Sequence, residues 1–341
     1  MNPPLVELVD VARYFDVSAP WLNRVLERMP RQILKAVDGV SLAIEKGETL
    51  GLVGESGCGK STVARLIVGI YAPTRGEIRY GGRRVDSTAP EPAVRRAMQM
   101  IFQDPYASLN PRWRVRDIIA EPIHAHGIVK NADQVTARVA ELLEQVGLAA
   151  ADGVKYPHQF SGGQRQRISI ARALATQPAF LVCDEPTYAL DVSVQAQVLN
   201  LMRRLQRELG LTYLFISHNL AVVHHIAERV GVMYLGRIVE LAPTRELFAF
   251  PRHPYTRMLL DAVPDLALTG TPRTAVAGEV PNPLDPPRGC AFHPRCPYAN
   301  ARCRSEVPSL LPVPGDASLS VAACHAVEEG RLTLAAIVPA L

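Results

Sequence analysis

Through residues 1–250, short unbroken apolar runs at 49–53, 180–183 and 213–216 alternate with longer amphipathic stretches. Such runs suit strands buried on both faces, and apolar positions recurring every three to four residues suit helices packed against them. The pattern predicts an α/β fold with a largely parallel sheet. Segments 7–15 and 36–44 read as strands of an antiparallel flank. The insertion between them, 16–34, carries proline and tryptophan without a clear period and reads as a surface loop with room for a short helix. After Pro251 prolines come in quick succession (Pro264, Pro272, Pro281, Pro283, Pro286, Pro287, Pro294) and long helical periods vanish. That change predicts a boundary near 250–265, dividing a large domain over 1–250 from a small proline-rich extension over 251–341.

Gly54-Glu55-Ser56-Gly57-Cys58-Gly59-Lys60-Ser61 follows the apolar strand and opens a helical run over 62–70. This is the phosphate-binding P-loop pattern in its strand, loop and helix context, so a chance glycine-rich turn is the weaker reading. Its glycines turn backbone N–H groups toward phosphates, Lys60 reaches the outer phosphates, and Ser61 is a Mg²⁺ ligand. The strand at 180–183 ends in Asp184 and Glu185, which suits a carboxylate on the metal side and a base that polarises water. A solvated strand end is the plainer alternative for that pair, and Cys183 reads as core filler.

Composition narrows the class. At 48% apolar and 21% charged residues the chain is ordinary globular protein with little room for a long disordered tail. Its 37 basic residues are interspersed with 33 acidic ones, which predicts no nucleic-acid partner. The apolar run 332–341 is too short for a bilayer span of about 20 residues, and no leader-like start is visible, so a cytosolic protein is expected. Of six cysteines, Cys290, Cys296, Cys303 and Cys324 crowd near the end at spacings unlike the paired C-x₂-C of a zinc ribbon.

A P-loop with an Asp-Glu pair also fits kinases, helicases and recombinases. Phe160-Ser161-Gly162-Gly163-Gln164, leading into a helix over 165–176, resembles the signature of ATP-binding-cassette (ABC) proteins, with phenylalanine where leucine is commonest. Gln103 and His218 fall where that family has its Q-loop and switch histidine. The resemblance implies a P-loop NTPase cassette with a helical subdomain over about 104–178. It implies that two cassettes pack head to tail, each ATP lying between one chain's P-loop (Gly54, Ser56, Gly57, Cys58, Gly59, Lys60, Ser61, Thr62) and the other's Ser161, Gly162, Gly163 and Gln164. It also implies Glu185, His218 and Lys60 as catalytic groups, Mg²⁺ held by Ser61, Gln103 and Asp184, and Asp191 as the D-loop aspartate. Tyr188 stands where a serine is usual and Asn219 where an aspartate is usual. An aromatic from the first strand region should stack on adenine. Tyr14 and Phe15 are the candidates, on opposite faces by strand alternation, with Phe15 favoured.

Gln103-Asp-Pro-Tyr-Ala-Ser-Leu-Asn-Pro-Arg112, Tyr156-Pro-His-Gln-Phe160, His253-Pro-Tyr255 and the tail from Gly278 resemble the ATPases of oligopeptide, dipeptide and nickel importers. The 16–34 insertion resembles their second, F-type ATPase subunit. The resemblance implies an ATPase on the cytoplasmic face of the inner membrane, peripheral, working with a second ABC ATPase, two transmembrane permease subunits and a substrate-binding protein. Peptide is the expected cargo, with nickel, glutathione, opines or another small solute as alternatives. Some members of that group carry a [4Fe–4S] cluster, for which Cys290, Cys296, Cys303 and Cys324 are the candidate ligands. Zinc or unliganded thiols stay open for them, and disulfides are least expected in the cytosol. A non-transport ABC ATPase is the rival from another class. Against it, 104–160 holds only two plausible helices, 116–126 and 132–146, with no room for a long coiled coil.

Overall fold

The computed structural model describes residues 3–86, 89–188, 190–262, 278–316 and 319–332. Most of the terminal apolar run lies outside them. Two sheets organise the chain. The first is antiparallel and four-stranded, in the order β2-β1-β4-β5, from β1 (Val6–Asp16), β2 (Ile33–Ile44), β4 (Arg75–Tyr80) and β5 (Arg83–Arg84). The second has eight strands. At its centre β3 (Thr49–Val53), β6 (Met98–Ile101), β7 (Phe180–Asp184), β8 (Thr212–Ile216) and β9 (Arg229–Tyr234) run parallel in the order β9-β3-β8-β7-β6. Antiparallel β10 (Arg237–Pro243), β12 (Val321–Ala322) and β11 (Leu311–Pro312) extend it past β9. The α/β expectation with an antiparallel flank is met, and residues beyond 310 lengthen the cassette's own sheet.

Both faces of the parallel sheet are covered, which is why its strands read as unbroken apolar runs. Leu50, Leu52, Phe180, Val182, Leu214 and Ile216 share one core with the antiparallel sheet and with Val63, Leu66 and Ile67 of the helix Lys60–Ile67. The alternating Leu181, Cys183, Tyr213 and Phe215 face a second core with the helices Gly162–Leu174 and Val192–Leu209. This core continues into the helical region. There Ile118, Ile119 and Ile123 of the helix Val115–Ala125 meet Val135, Val139 and Leu142 of the helix Ala132–Gln145. The predicted helices at 116–126 and 132–146 thus form, each one residue earlier at its end. Within the 16–34 insertion Trp21–Glu27 is a short helix with no buried residue. Among the described residues no helix is long and apolar enough to cross a membrane.

A nucleotide-sized pocket on the phosphate-binding loop

The buried strand β3 delivers the chain into the loop 54–59, and Lys60 begins the helix that leaves it. Glycine is required at two points. Gly54 sits at φ 150°, where a Cβ would lie 2.2 Å from the Met233 carbonyl oxygen, and Gly59 sits at φ 109°, where one would lie 2.2 Å from that of Ala36. Any side chain at either point would push the loop off the sheet. The Lys60 ammonium is buried and donates to the carbonyls of Gly54 at 2.7 Å and Glu55 at 3.0 Å, with the Cys58 sulfur at 3.7 Å. Ser61 Oγ donates to Asp184 Oδ1 at 3.0 Å. Burial raises the pKa of Asp184, the Ser61 bond opposing that shift and the Glu185 charge adding to it.

Glu185 follows at the strand end with φ 47°, a left-handed conformation that costs energy for a residue with a side chain. Its N–H is held by the Ile216 carbonyl at 2.9 Å. The turn aims the carboxylate at a polar group, where Oε2 lies 3.0 Å from His218 Nδ1 and accepts from Gln103 Nε2 at 3.4 Å. The Tyr188 ring meets the His218 ring edge-on at 5.3 Å, so the unusual tyrosine flanks the histidine. Asn219 accepts the N–H groups of Ala221 and Val222 and caps the helix Leu220–Ile226. The capping role leaves His218 in place.

Lys60, Ser61, Gln103 and Glu185 border a cavity of about 580 Å³ whose lining also includes Phe15 and Ser56, while Asp184 and His218 stand outside that lining. Phe15 faces it, under the Arg13 guanidinium at 4.7 Å and against Tyr71. Tyr14 is absent from the lining, and its hydroxyl donates to Asp38 at 2.5 Å. The far wall is Pro283, Pro286, Pro287, Arg288 and Gly289 of the proline-rich extension. Ser161, Gly162, Gly163 and Gln164 are not brought to this cavity. Ser161 caps the helix Gly162–Leu174 and exchanges bonds with Gln164, whose N–H reaches Ser161 Oγ and whose Oε1 accepts the Ser161 N–H at 3.0 Å. Asp191 begins the helix Val192–Leu209, exposed and making no side-chain cap bond.

The structure lends no support to the [4Fe–4S] cluster expected at Cys290, Cys296, Cys303 and Cys324. Burial, and to a smaller extent the neighbouring thiols, raise the pKa of Cys290, Cys296 and Cys324, and the Cys290 N–H donates to the Cys303 carbonyl at 2.8 Å. Among the described residues, however, no group of three or more His, Cys, Asp or Glu side chains converges into a set that could hold a metal ion. Burial pushes the Cys290 and Cys296 thiols up to about 11 and raises that of Cys324. All six cysteines are free.

Two contacts had no local signal in the sequence. Arg295 forms a fork with the carboxylate of Glu55, and the Tyr255 hydroxyl accepts the Glu55 N–H. The partners lie 240 and 200 residues from Glu55, and nothing about a lone arginine or tyrosine points to the loop.

Comparison with known proteins agrees with this geometry. The ABC transporter family matches residues 37–188, and the C-terminal region of oligopeptide/dipeptide transporters matches residues 239–303. The oligopeptide transport ATP-binding protein AppF of Bacillus subtilis is 48% identical over 94% of this chain and 97% of its own length. The di/tripeptide transport ATP-binding protein DppF of Pseudomonas aeruginosa is 50% identical over 88% of this chain and 92% of its own. Among solved structures, the dimeric ATP-binding cassette MJ0796 bound to ADP and Pi superposes with a TM-score of 0.61 at 27% identity, covering 70% of this chain and 99% of that one. With relatives near half identity along almost its full length and the loop, acid pair and helical region in their places, the chain belongs to the ATP-binding proteins of ABC transporters, in the oligopeptide/dipeptide group.

Proposed function

We propose that this chain hydrolyses ATP to drive import of peptides through a membrane permease. Lys60 and the loop N–H groups hold the phosphates, Phe15 stacks on adenine, and Glu185 polarises the attacking water. The observation that carries the reading is the convergence of His218 and Gln103 on one oxygen of Glu185, beside a loop whose buried lysine is held by its own carbonyls. An acid held by two polar neighbours at the rim of such a cavity is oriented for a water between itself and the γ-phosphate.

Ser61, Asp184 and Gln103 are the oxygen donors that suit a hard cation, and the Ser61–Asp184 contact at 3.0 Å preassembles two of them. Mg²⁺ there supplies neutralisation of phosphate charge. Lys60 contributes the second positive charge from the loop side. To reach phosphate its ammonium gives up the Gly54 and Glu55 carbonyls that hold it now.

Ser161 and Gln164 close on each other in the single chain, and Tyr188 and Val192, on either side of Asp191 in the chain, are 60% and 83% exposed. That surface suits a second ATPase subunit, whose loop-bound ATP would meet Ser161, Gly162, Gly163 and Gln164, with Asp191 at the shared edge. Two permease subunits and a substrate-binding protein complete the assembly, and the chain sits peripherally on the cytoplasmic face of the membrane. The relatives named for oligopeptide and di/tripeptide transport support peptide as cargo.

The test is ATP hydrolysis by the chain assembled with permease and partner ATPase, with and without peptide-loaded binding protein. Glu185→Gln should lower kcat by about 100-fold or more while MgATP still binds. Hydrolysis at the wild-type rate by the variant, or indifference of the wild type to assembly and peptide, would overturn the reading.

A further inference from the structure

Every polar group of Glu55 is taken. Its N–H donates to the Tyr255 hydroxyl at 2.9 Å, and its carbonyl accepts from Lys60 Nζ at 3.0 Å and from the Cys58 N–H at 3.3 Å. Its carboxylate oxygens accept from Arg295 Nη1 at 2.8 Å and Nη2 at 3.0 Å. The glutamate therefore joins the extension on one side to the loop lysine on the other.

The arginine is held as firmly as the loop. Its side chain is 2% exposed. Its guanidinium carbon lies 5.8 Å from the ring centres of both Tyr234 and Phe292. Those rings pack with Tyr255 at 4.6–5.5 Å, so one aromatic cluster supports both groups that reach Glu55. A bidentate guanidinium–carboxylate fork is directional as well as strong. Burying an ion pair loses hydration that the pairing only partly returns, so a buried fork is weak evidence for added stability and points first to the geometry it fixes.

We propose that Arg295 is a positioning residue for the nucleotide site: acting through Glu55, and with Tyr255, the extension holds the phosphate-binding loop in the shape that receives ATP. This rests on the reading of that loop as the ATP site. A loop with glycines at 54, 57 and 59 has many conformations to lose when it wraps phosphates. Fixing both the backbone and the side chain of its second residue removes part of that loss before the nucleotide arrives. The same contact sets where Lys60 rests, because one of its two carbonyl acceptors belongs to Glu55.

The experiment is calorimetric titration of the full-length chain with MgATP, alongside thermal unfolding without nucleotide, for wild type, Lys60→Ala, Arg295→Met, Glu55→Gln, the Arg295→Met/Glu55→Gln double variant and Tyr255→Phe. Arg295→Met and Glu55→Gln are each expected to weaken MgATP binding about tenfold. The double variant should bind no more weakly than the worse single one, since all three break one link. Tyr255→Phe keeps the ring in its cluster and loses one hydrogen bond, for an expected loss of about threefold at an unchanged unfolding midpoint. Should Arg295→Met fail to fold, Glu55→Gln and Tyr255→Phe carry the test. Affinities within about twofold of wild type in those two, with a lowered midpoint, would overturn the proposal and leave the fork as a staple for the extension. A wild type that bound no MgATP, or bound it equally well as Lys60→Ala, would instead overturn the ATP-site reading and the proposal with it.

Discussion

Leu50, Leu52, Phe180 and Ile216 lie in the parallel sheet with essentially no exposed surface, while the extension meets the same cassette through buried charged groups beside its apolar ones. Arg295 reaches Glu55, and the wholly buried Glu240 of β10 accepts the N–H groups of Arg252 and His253 at 2.8 Å each. Tyr255 and Phe292 are the main apolar bodies the later residues add to the core. Cohesion by apolar burial is non-directional and indifferent to pH, whereas cohesion by buried charge depends on geometry and protonation. A short proline-rich segment cannot bury enough surface to hold by the first means alone. The contrast means the extension can be loosened under conditions that leave the sheet intact.

The largest effect should come from the sheet. Leu50→Ala removes a fully buried side chain between β8 and β9 and should cost about 2–5 kcal/mol in denaturant unfolding, by nearly the same amount at pH 5 and pH 8. A loss that varied strongly across that range would break the contrast.

Next comes Glu240, whose pKa burial pushes up from 4.5 to about 7, against the pull of the N–H groups that it accepts. The folded chain therefore holds this proton more strongly than the unfolded one. Its contribution is complete below about pH 4.5 and is lost as pH rises through about 7, a change of about 3 kcal/mol. His253 acts with the opposite sign, its pKa pushed down by burial to about 3, so acid destabilises through it as pH falls below 6.5. Comparing wild type with Glu240→Gln keeps His253 in both chains. The unfolding free energy of wild type should fall relative to the variant between pH 4.5 and 7, and parallel curves would show that Glu240 does not titrate there.

The same contrast decides what could be read from sequence. Strands 49–53, 180–184 and 212–216 announce themselves because burial on both faces leaves an unbroken apolar run, and the loop 54–61 because phosphate binding demands glycines at fixed intervals. The choice between Tyr14 and Phe15 turns on which face meets the cavity, and local alternation is symmetric between them. What separates them is a long-range partner, Asp38, which takes the Tyr14 hydroxyl. Arg295, Tyr255 and Glu240 were hidden for the same reason, since a buried charge is defined by a partner and a single sequence does not name one. The cysteines show the converse: their crowding along the chain is plain, yet sequence proximity did not translate into a ligand set among the described residues.

The smallest effect should come from charge that stays wet. Arg302 donates to Glu306 at 2.9 Å, Glu329 at 2.8 Å and Glu328 at 3.3 Å, joining four charged side chains. Its side chain keeps 34% of its exposure, and the three glutamates keep 27–59%. Water and salt already screen such pairs, and ordering four long side chains offsets much of their attraction. Arg302→Ala should therefore lower the thermal midpoint far less than Leu50→Ala, and the remaining shift should shrink as salt is raised. A drop that persisted at high salt would mean that this corner of the extension is held as the Glu55 fork is. The line between its buried and exposed charges would then have to be redrawn around Arg302.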